Sequence, residues 1–345
     1  MKHSVVIGGA GFVGSWVVDE ILKDSNARVT IVDNLISSER WNISNNPRVY
    51  FINGSAAQIE TLMSIKGRVD EVYQLACFHG NQSSIALPFE DFENGLRTTL
   101  VTLEWVKRHH PDAKVVYSGA GCAVAEKTWN DPDPVLEIDT VNLQHDSPYS
   151  ISKITGEIYC KYYVAQHGLD VVRVRFQNVY GPREILGAGI WRGTEHTIWR
   201  NVIPTFIFKA LTGEILHVYG GGKSTRDFIY VKDIVRGIIL ASKFGIKGQV
   251  YNLASGQETN IKHLAETIID LTNSSSRINI APAREWDRSG RRVGNPEKSK
   301  NMLGFESNIE LLAGIIETIE WTKSNTQAIK SAINKHESSL TFKEK

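Results

Sequence analysis

The chain has 345 residues, 41% of them hydrophobic and 22% charged, and a formal net charge of +1. That balance is ordinary for a globular protein and leaves no global field to draw it to nucleic acid or to an anionic membrane. No apolar run approaches the roughly 18 residues of a spanning helix, and Cys77, Cys122 and Cys160 make neither a disulfide framework nor a metal-ligand spacing. A reducing, cytoplasmic setting without a bound metal is expected.

Taken in chain order, the first half alternates short β-branched runs with helical stretches, the pattern of βαβ units on a parallel sheet. Strand candidates cover 4–7, 29–32, 49–52, 71–75, 114–117 and 171–174, and helix candidates cover 12–22, 92–108 and 149–166. Met1-Lys2-His3-Ser4, running into Val5-Val6-Ile7-Gly8, reads as a first strand entering a turn rather than a signal peptide. Beyond Gly181-Pro182 the pattern loosens into Gly- and Trp-rich loops. The expected architecture is α/β: a doubly wound parallel-sheet domain over 1–180 and a smaller substrate lobe over 181–345. The two interleave, because a segment of about 225–255 returns to the first domain through Val250-Tyr251-Asn252-Leu253. The tail from Thr341 is polar and expected to fray.

The first turn reads Ile7-Gly8-Gly9-Ala10-Gly11-Phe12-Val13-Gly14. Its glycines satisfy the G-x-G-x-x-G fingerprint and its wider-spaced variant. They permit a tight turn, close backbone approach to a pyrophosphate and close helix–strand packing. The helix that begins near Phe12 points its free N–H groups at the phosphates. Asp33 closes the next strand, where a carboxylate accepts from a ribose 2′-OH and repels a 2′-phosphate, so NAD is favoured. Arg40 in the following loop keeps NADP open. Far downstream, Tyr149 and Lys153 stand four residues apart, on one face of one helix. A free phenol titrates near pKa ~10. An ammonium and an oxidised nicotinamide beside it both favour the phenolate, which makes a base for alcohol oxidation.

Further segments complete a pattern: Leu75-Ala76, Ser84-x-x-x-Pro88, Asn94, Ser147-Pro148-Tyr149-Ser150-Ile151-Ser152-Lys153 and Arg175-Phe176-Gln177-Asn178-Val179-Tyr180-Gly181-Pro182. Arg226-Asp227-Phe228-Ile229-Tyr230-Val231 and Tyr251-Asn252-Leu253-Ala254-Ser255-Gly256 follow. From about Val5 to Trp321 the chain resembles the extended short-chain dehydrogenase/reductases that act on nucleotide sugars, the NAD-dependent epimerase/dehydratase family. It is especially similar to O-antigen sugar-nucleotide epimerase/dehydratases, through 119–127 and Trp191-Arg192-Gly193-Thr194. The resemblance implies a modified Rossmann domain with a C-terminal nucleotide-sugar lobe and tightly held NAD, recycled each turnover, with Asn34, Ser55, Leu75, Ala76, Ser118 and Phe176 joining the glycine turn and Asp33 around it. It implies a homodimer, in which 92–108 and 149–166 pair into a four-helix bundle. For a nucleotide sugar, UDP-linked by preference and GDP-linked as the alternative, it implies Ser84, Asn178, Asn201, Arg226 and Arg284. Arg288, Arg291 and Arg292 crowd the same region, where an arginine fork suits a diphosphate and a solvated basic loop is the plainer reading.

The chain departs from the family after the fifth strand. Ala120 stands where a Ser or Thr usually bonds the C4 oxygen, and Gly121-Cys122 stands where 4,6-dehydratases resemble Asp-Glu. That disfavours dehydration. In GDP-mannose 3,5-epimerase and GDP-fucose synthase the matching position is a cysteine acting as acid/base. A C4 ketone acidifies the C–H bonds at C3 and C5, and a thiol of pKa ~8.5 can take and return such a proton. The plainer reading of Cys122 is a small buried filler, which is also how Cys77 and Cys160 read. Arg183 cannot be the second acid; His79 and His196 are candidates, although an exposed or core-satisfied histidine is the plainer reading of each. The expected activity is therefore epimerisation through a transient 4-keto sugar, at C4 or, using Cys122, at C5 or C3, in surface polysaccharide synthesis. A dehydratase or decarboxylase, a 4-keto reductase and a non-catalytic sensor of NAD or sugar nucleotide are the alternatives.

Overall fold

Val5-Val6, Val115-Val116 and Val171-Val172 put apolar side chains in succession along their strands. Since alternate residues of a strand point to opposite faces, such strands need cover on both sides. The computed structural model, which describes residues 1–78, 80–126, 128–137, 143–185, 201–285, 287 and 289–340, has this sandwich of helix, sheet and helix.

The first half runs β1 (Lys2–Ile7), α1 (Phe12–Ile21), β2 (Ala27–Asp33), β3 (Val49–Asn53), α2 (Ile59–Met63) and β4 (Glu71–Gln74). Two short helices, α3 (Asn81–Ala86) and α4 (Pro88–Asp91), lead through a π-helical stretch, Phe92–Arg97, into α5 (Thr98–His109). Next come β5 (Lys114–Ala120), α6 (Gly121–Val124), α7 (Pro148–His167) and β6 (Val171–Phe176). The second half adds β7 (Asn178–Tyr180), α8 (Val202–Thr212), β8 (Leu216–Val218), β9 (Thr225–Tyr230), α9 (Val231–Phe244), β10 (Val250–Leu253) and β11 (Glu258–Asn260). It closes with α10 (Ile261–Thr272), β12 (Ile278–Ile280), β13 (Arg291–Arg292), α11 (Glu297–Leu303) and α12 (Leu311–Leu340).

Seven parallel strands form the main sheet in the order β10-β6-β5-β4-β1-β2-β3. The order reverses direction between β1 and β4, which opens a crevice at the carboxyl ends of the strands. Val6, Val116 and Val172 pack with residues of α1 and α9 on one face. Val5, Val115 and Val171 pack with Leu103 and Val106 of α5 and Cys160 and Tyr163 of α7 on the other. Of the segment expected to return to this sheet, β10 pairs with β6, whereas β9 pairs with β7, β11 and β13 in a second, four-stranded sheet. Both Asn178 on β7 and Arg226 on β9 are held by that second sheet against the crevice. Among the described residues no helix is long and apolar enough to cross a membrane, and no cluster of His, Cys, Asp and Glu is arranged to hold a metal. The tail 341–345 lies outside the described residues.

Candidate active site

The crevice is a cleft of about 460 Å³, running from the turn after β1 to the arginines of the second lobe. Tyr149, Lys153 and Cys122 line it, as do Asn178, Asn201, Arg226, Arg284 and Arg292 and, except for Gly9, the cofactor residues assigned above from Gly8 to Phe176, whereas Ser84 and Arg291 do not. Arg288, His79, His196, Lys127 and Trp191-Arg192-Gly193-Thr194 lie outside the described residues.

At the cofactor end Gly8 adopts φ +83°, and a Cβ there would stand 2.8 Å from the Ala76 nitrogen. A Cβ on Gly14 would lie 2.9 Å from both the Gly8 carbonyl carbon and the Gly9 Cα. Only glycine lets α1 sit this close to the turn, with its first N–H groups aimed into the cleft. The Asp33 carboxylate accepts from the Ala10 N–H at 3.0 Å, the Leu35 N–H at 2.9 Å and the Ser38 hydroxyl at 2.7 Å, which fixes it at the rim of the turn. Arg40, the residue that kept NADP open, lies over the Phe51 ring at 5.5 Å, and Glu39 lines the cleft instead. A glycine cradle, a helix N-terminus and a fixed carboxylate fit a dinucleotide with a free 2′-OH.

The reactive pair sits on α7. Ser147 caps the helix by accepting from the Ser150 N–H, and the Ser84 hydroxyl accepts from the Tyr149 N–H at 3.0 Å. Ser84 therefore holds the start of α7 rather than facing the cleft. Lys153 Nζ donates to the Ser118 carbonyl at 2.8 Å and to its hydroxyl at 3.2 Å, and lies 5.9 Å from the Tyr149 ring centre. Burial first, then the thiols of Cys77 and Cys122, pushes the Tyr149 phenol well above its ordinary range. A base at this position thus needs positive charge beside it, and Lys153 supplies one such charge.

Ser118 does not replace the hydroxyl missing at Ala120. Its own hydroxyl donates to the Gln74 carbonyl at 3.0 Å and accepts from Lys153. Ser83 was missed in the sequence: it is fully buried, lines the cleft, and its hydroxyl has no hydrogen-bond partner. Gln177 was missed as well. A Cβ on Gly121 would come within 2.7 Å of the Gln177 Cδ, so Gln177 fills the space that an acidic side chain at 121 needs. Cys122, half-buried on α6, packs against Ala120 and Tyr149 and faces the cleft.

At the far end Arg226 and Arg292 share the Asp287 carboxylate at 3.2 and 2.8 Å, and Arg284 lies over the Tyr219 ring at 4.1 Å. Burial, followed by the neighbouring Arg292, pulls the Arg226 guanidinium down to about 10. Burial would raise Asp287, but Arg292 and Arg226 outweigh it and hold the carboxyl below its ordinary value. Arg291 turns away, to Glu258 and Asp131. Asn178 donates to the Asp227 carbonyl at 2.9 Å, and Asn201 to Glu184. Arg292 also reaches the buried Asp146 carboxylate at 3.4 Å, and three guanidiniums against two carboxylates still leave a net positive wall, which suits a diphosphate.

The sequence pattern of the NAD dependent epimerase/dehydratase family matches residues 4–254. The chain belongs to that family. Its members are NAD-dependent enzymes, so the glycine cradle is read here as an NAD site. The Bordetella bronchiseptica enzyme WbmF, solved with NAD+ and UDP, is 47% identical, covers 98% of this chain and 97% of its own, and superposes with a TM-score of 0.86. An epimerase of Methanothermobacter thermautotrophicus is 32% identical over 96% of this chain and 95% of its own, with a TM-score of 0.87. A UDP-N-acetyl-alpha-D-glucosaminuronate decarboxylase of Bacillus cytotoxicus is 30% identical over 93% of this chain and 97% of its own.

Proposed function

We propose that this family member is a nucleotide-sugar epimerase acting on a UDP-sugar through a transient 4-keto intermediate. The observation that carries the choice of epimerase is the packing at Gly121 and Cys122. Gln177 closes the position of the dehydratase acid, and a thiol stands beside Tyr149 in its place. NAD, when bound, supplies the hydride acceptor and donor at C4. Tyr149 takes the C4 hydroxyl proton, and Lys153 holds positive charge beside the resulting anion. The buried Ser83 hydroxyl is the group available for the C4 oxygen that Ala120 cannot serve. Once the ketone forms, either the sugar turns within the cleft and C4 inverts, or Cys122 removes and returns a proton at C5 or C3. Arg226, Arg284 and Arg292 hold the diphosphate end, and the solved complex of WbmF with UDP supports the choice of nucleotide. The homodimer through α5 and α7 and the role in surface polysaccharide synthesis belong to the same proposal.

The test is incubation of the purified protein in deuterated water with UDP-hexoses and UDP-hexuronic acids, read by NMR and mass spectrometry. Inversion with deuterium at C5 or C3 assigns Cys122 as the acid/base. Inversion at C4 without deuterium makes Cys122 a wall of the pocket. Loss of water or of carbon dioxide from a substrate would overturn the epimerase reading.

A further inference from the structure

A second, smaller cavity lies against the same two reactive side chains. Its volume is about 10 Å³, room for roughly one water. Tyr149, Lys153 and Ser152 line it from α7, Tyr117 from β5, Cys77 from the segment after β4, and Asp91 and Gly95 from the opposite wall. Asp91 ends α4 and is 1% exposed. Its Oδ2 accepts from the Ser152 hydroxyl at 2.5 Å, and its Oδ1 is buried with no hydrogen-bond partner. A lone carboxylate oxygen in such a place is costly unless something donates to it.

The backbone makes the room. Directly after Asp91 the helix widens into the π-helical stretch Phe92–Arg97, a deviation common at functional sites. Gly95 lies in that stretch, and a Cβ there would rest 3.9 Å from Asp91 Oδ1 and 3.8 Å from the Ser152 Cβ, in ordinary contact but inside the cavity wall. The titratable groups facing Asp91 are Lys153 and Tyr149 on α7, Tyr117 on β5 and Cys77. The Tyr117 hydroxyl is committed to the Lys153 carbonyl at 3.1 Å. Burial pushes the Asp91 carboxyl up to about 6, against the pull of Ser152 and Lys153, so near neutral pH it stands close to both protonation states.

We propose that Asp91 is the inner proton acceptor of Tyr149, reached through one water held in this cavity. The Tyr149 O–H bond breaks and its proton passes to the water, which gives up a different proton to Asp91 Oδ1. The products are a phenolate and a neutral carboxylic acid. No electrons change hands, and the reverse transfer restores the start. Negative charge moves from one neighbour of Lys153 to another, so the same ammonium stabilises both arrangements. Asp91 touches no substrate and acts through Tyr149. The proposal rests on the reading of Tyr149 as the base.

The experiment is infrared spectroscopy of the protonated-carboxyl band in the full-length protein between pH 4.5 and 8, which needs no substrate. Wild type should show a band that appears as the pH falls through about 6. Asp91→Asn should lack it. Tyr149→Phe removes the donor behind the water, and Gly95→Ala displaces the water itself, so each should raise the midpoint by about one unit, the size that marks interacting sites. A midpoint unmoved in both variants isolates Asp91 from Tyr149 and overturns the proposal, as does a wild-type spectrum with no band near pH 6. Gly95→Ala and Tyr149→Phe keep the test decisive if Asp91→Asn fails to fold. Activity in Tyr149→Phe would instead sink the reading of Tyr149 as the base, whatever the band does.

Discussion

Tyr149 and Lys153 are the residues on which the chemistry turns, and their spacing alone declares them. The phenol is buried and raised well above its ordinary range, so its use as the C4 base depends on positive charge beside it, such as that of Lys153. Tyr149→Phe should lower turnover by about 10²–10⁴-fold, the usual share of a positioned acid/base, while NAD stays bound. Steady-state rates and cofactor content measured on one preparation check this, and a near-normal rate refutes it. Cys122→Ser divides the two branches: severe loss for inversion at C5 or C3, mild loss for inversion at C4. Other residues at the site gave no signal in sequence. Gln177 sits inside a quoted motif, yet its effect depends on Gly121 and Gly294 both leaving a slot for its amide. Asp91 looks like one more acidic helix residue until the π-helical turn aims it at the cavity. Such roles come from contacts between distant segments, which spacing along one segment does not encode.

At the scale of elements, α7 carries both reactive groups, and its seat on β5 sets their position. Gly156 makes that seat possible, since a Cβ there would stand 2.8 Å from the Tyr117 Cζ. The Tyr117 hydroxyl in turn bonds the carbonyl of Lys153. Gly156→Ala forces either α7 or Tyr117 to move. It should cost about 1–3 kcal/mol of stability, as overpacking does in a filled core, and activity should fall further than stability because the pair rides on the helix. A denaturant midpoint equal to wild type would show that the seat is looser than the distances say. In the first half the long strands and helices were legible because their apolar periodicity persists for a turn or more, whereas α8, α9, α10 and α12 of the second half were not among the expected elements. β5 runs on to Ala120 although Ser118-Gly119-Ala120 has no strand-forming character, because those residues pair with Val174, Arg175 and Phe176 of β6. β8, β11, β12 and β13 are too short for any period to register.

For the whole molecule, the doubly wound order follows from alternating strands and helices together with right-handed crossovers, and the glycine turn then falls at the point where the order reverses. What one chain leaves unfinished is the outer face of α7. Ile151, Ile158 and Tyr162, spaced to share one face of the helix, are each about half exposed, and Phe89 and Phe92 are exposed on the neighbouring stretch. Apolar side chains gathered on one side of a packed helix pair mark a surface for association. A second copy related by a two-fold axis would bury the same face on both chains. The purified protein should therefore sediment as a dimer, and Ile158→Arg should shift it to a monomer that keeps its NAD, since Ile158 lies outside the cleft. Analytical ultracentrifugation with cofactor absorbance measured on the same fractions tests both halves. A wild-type monomer overturns the dimer, whereas an Ile158→Arg dimer moves the interface to another face.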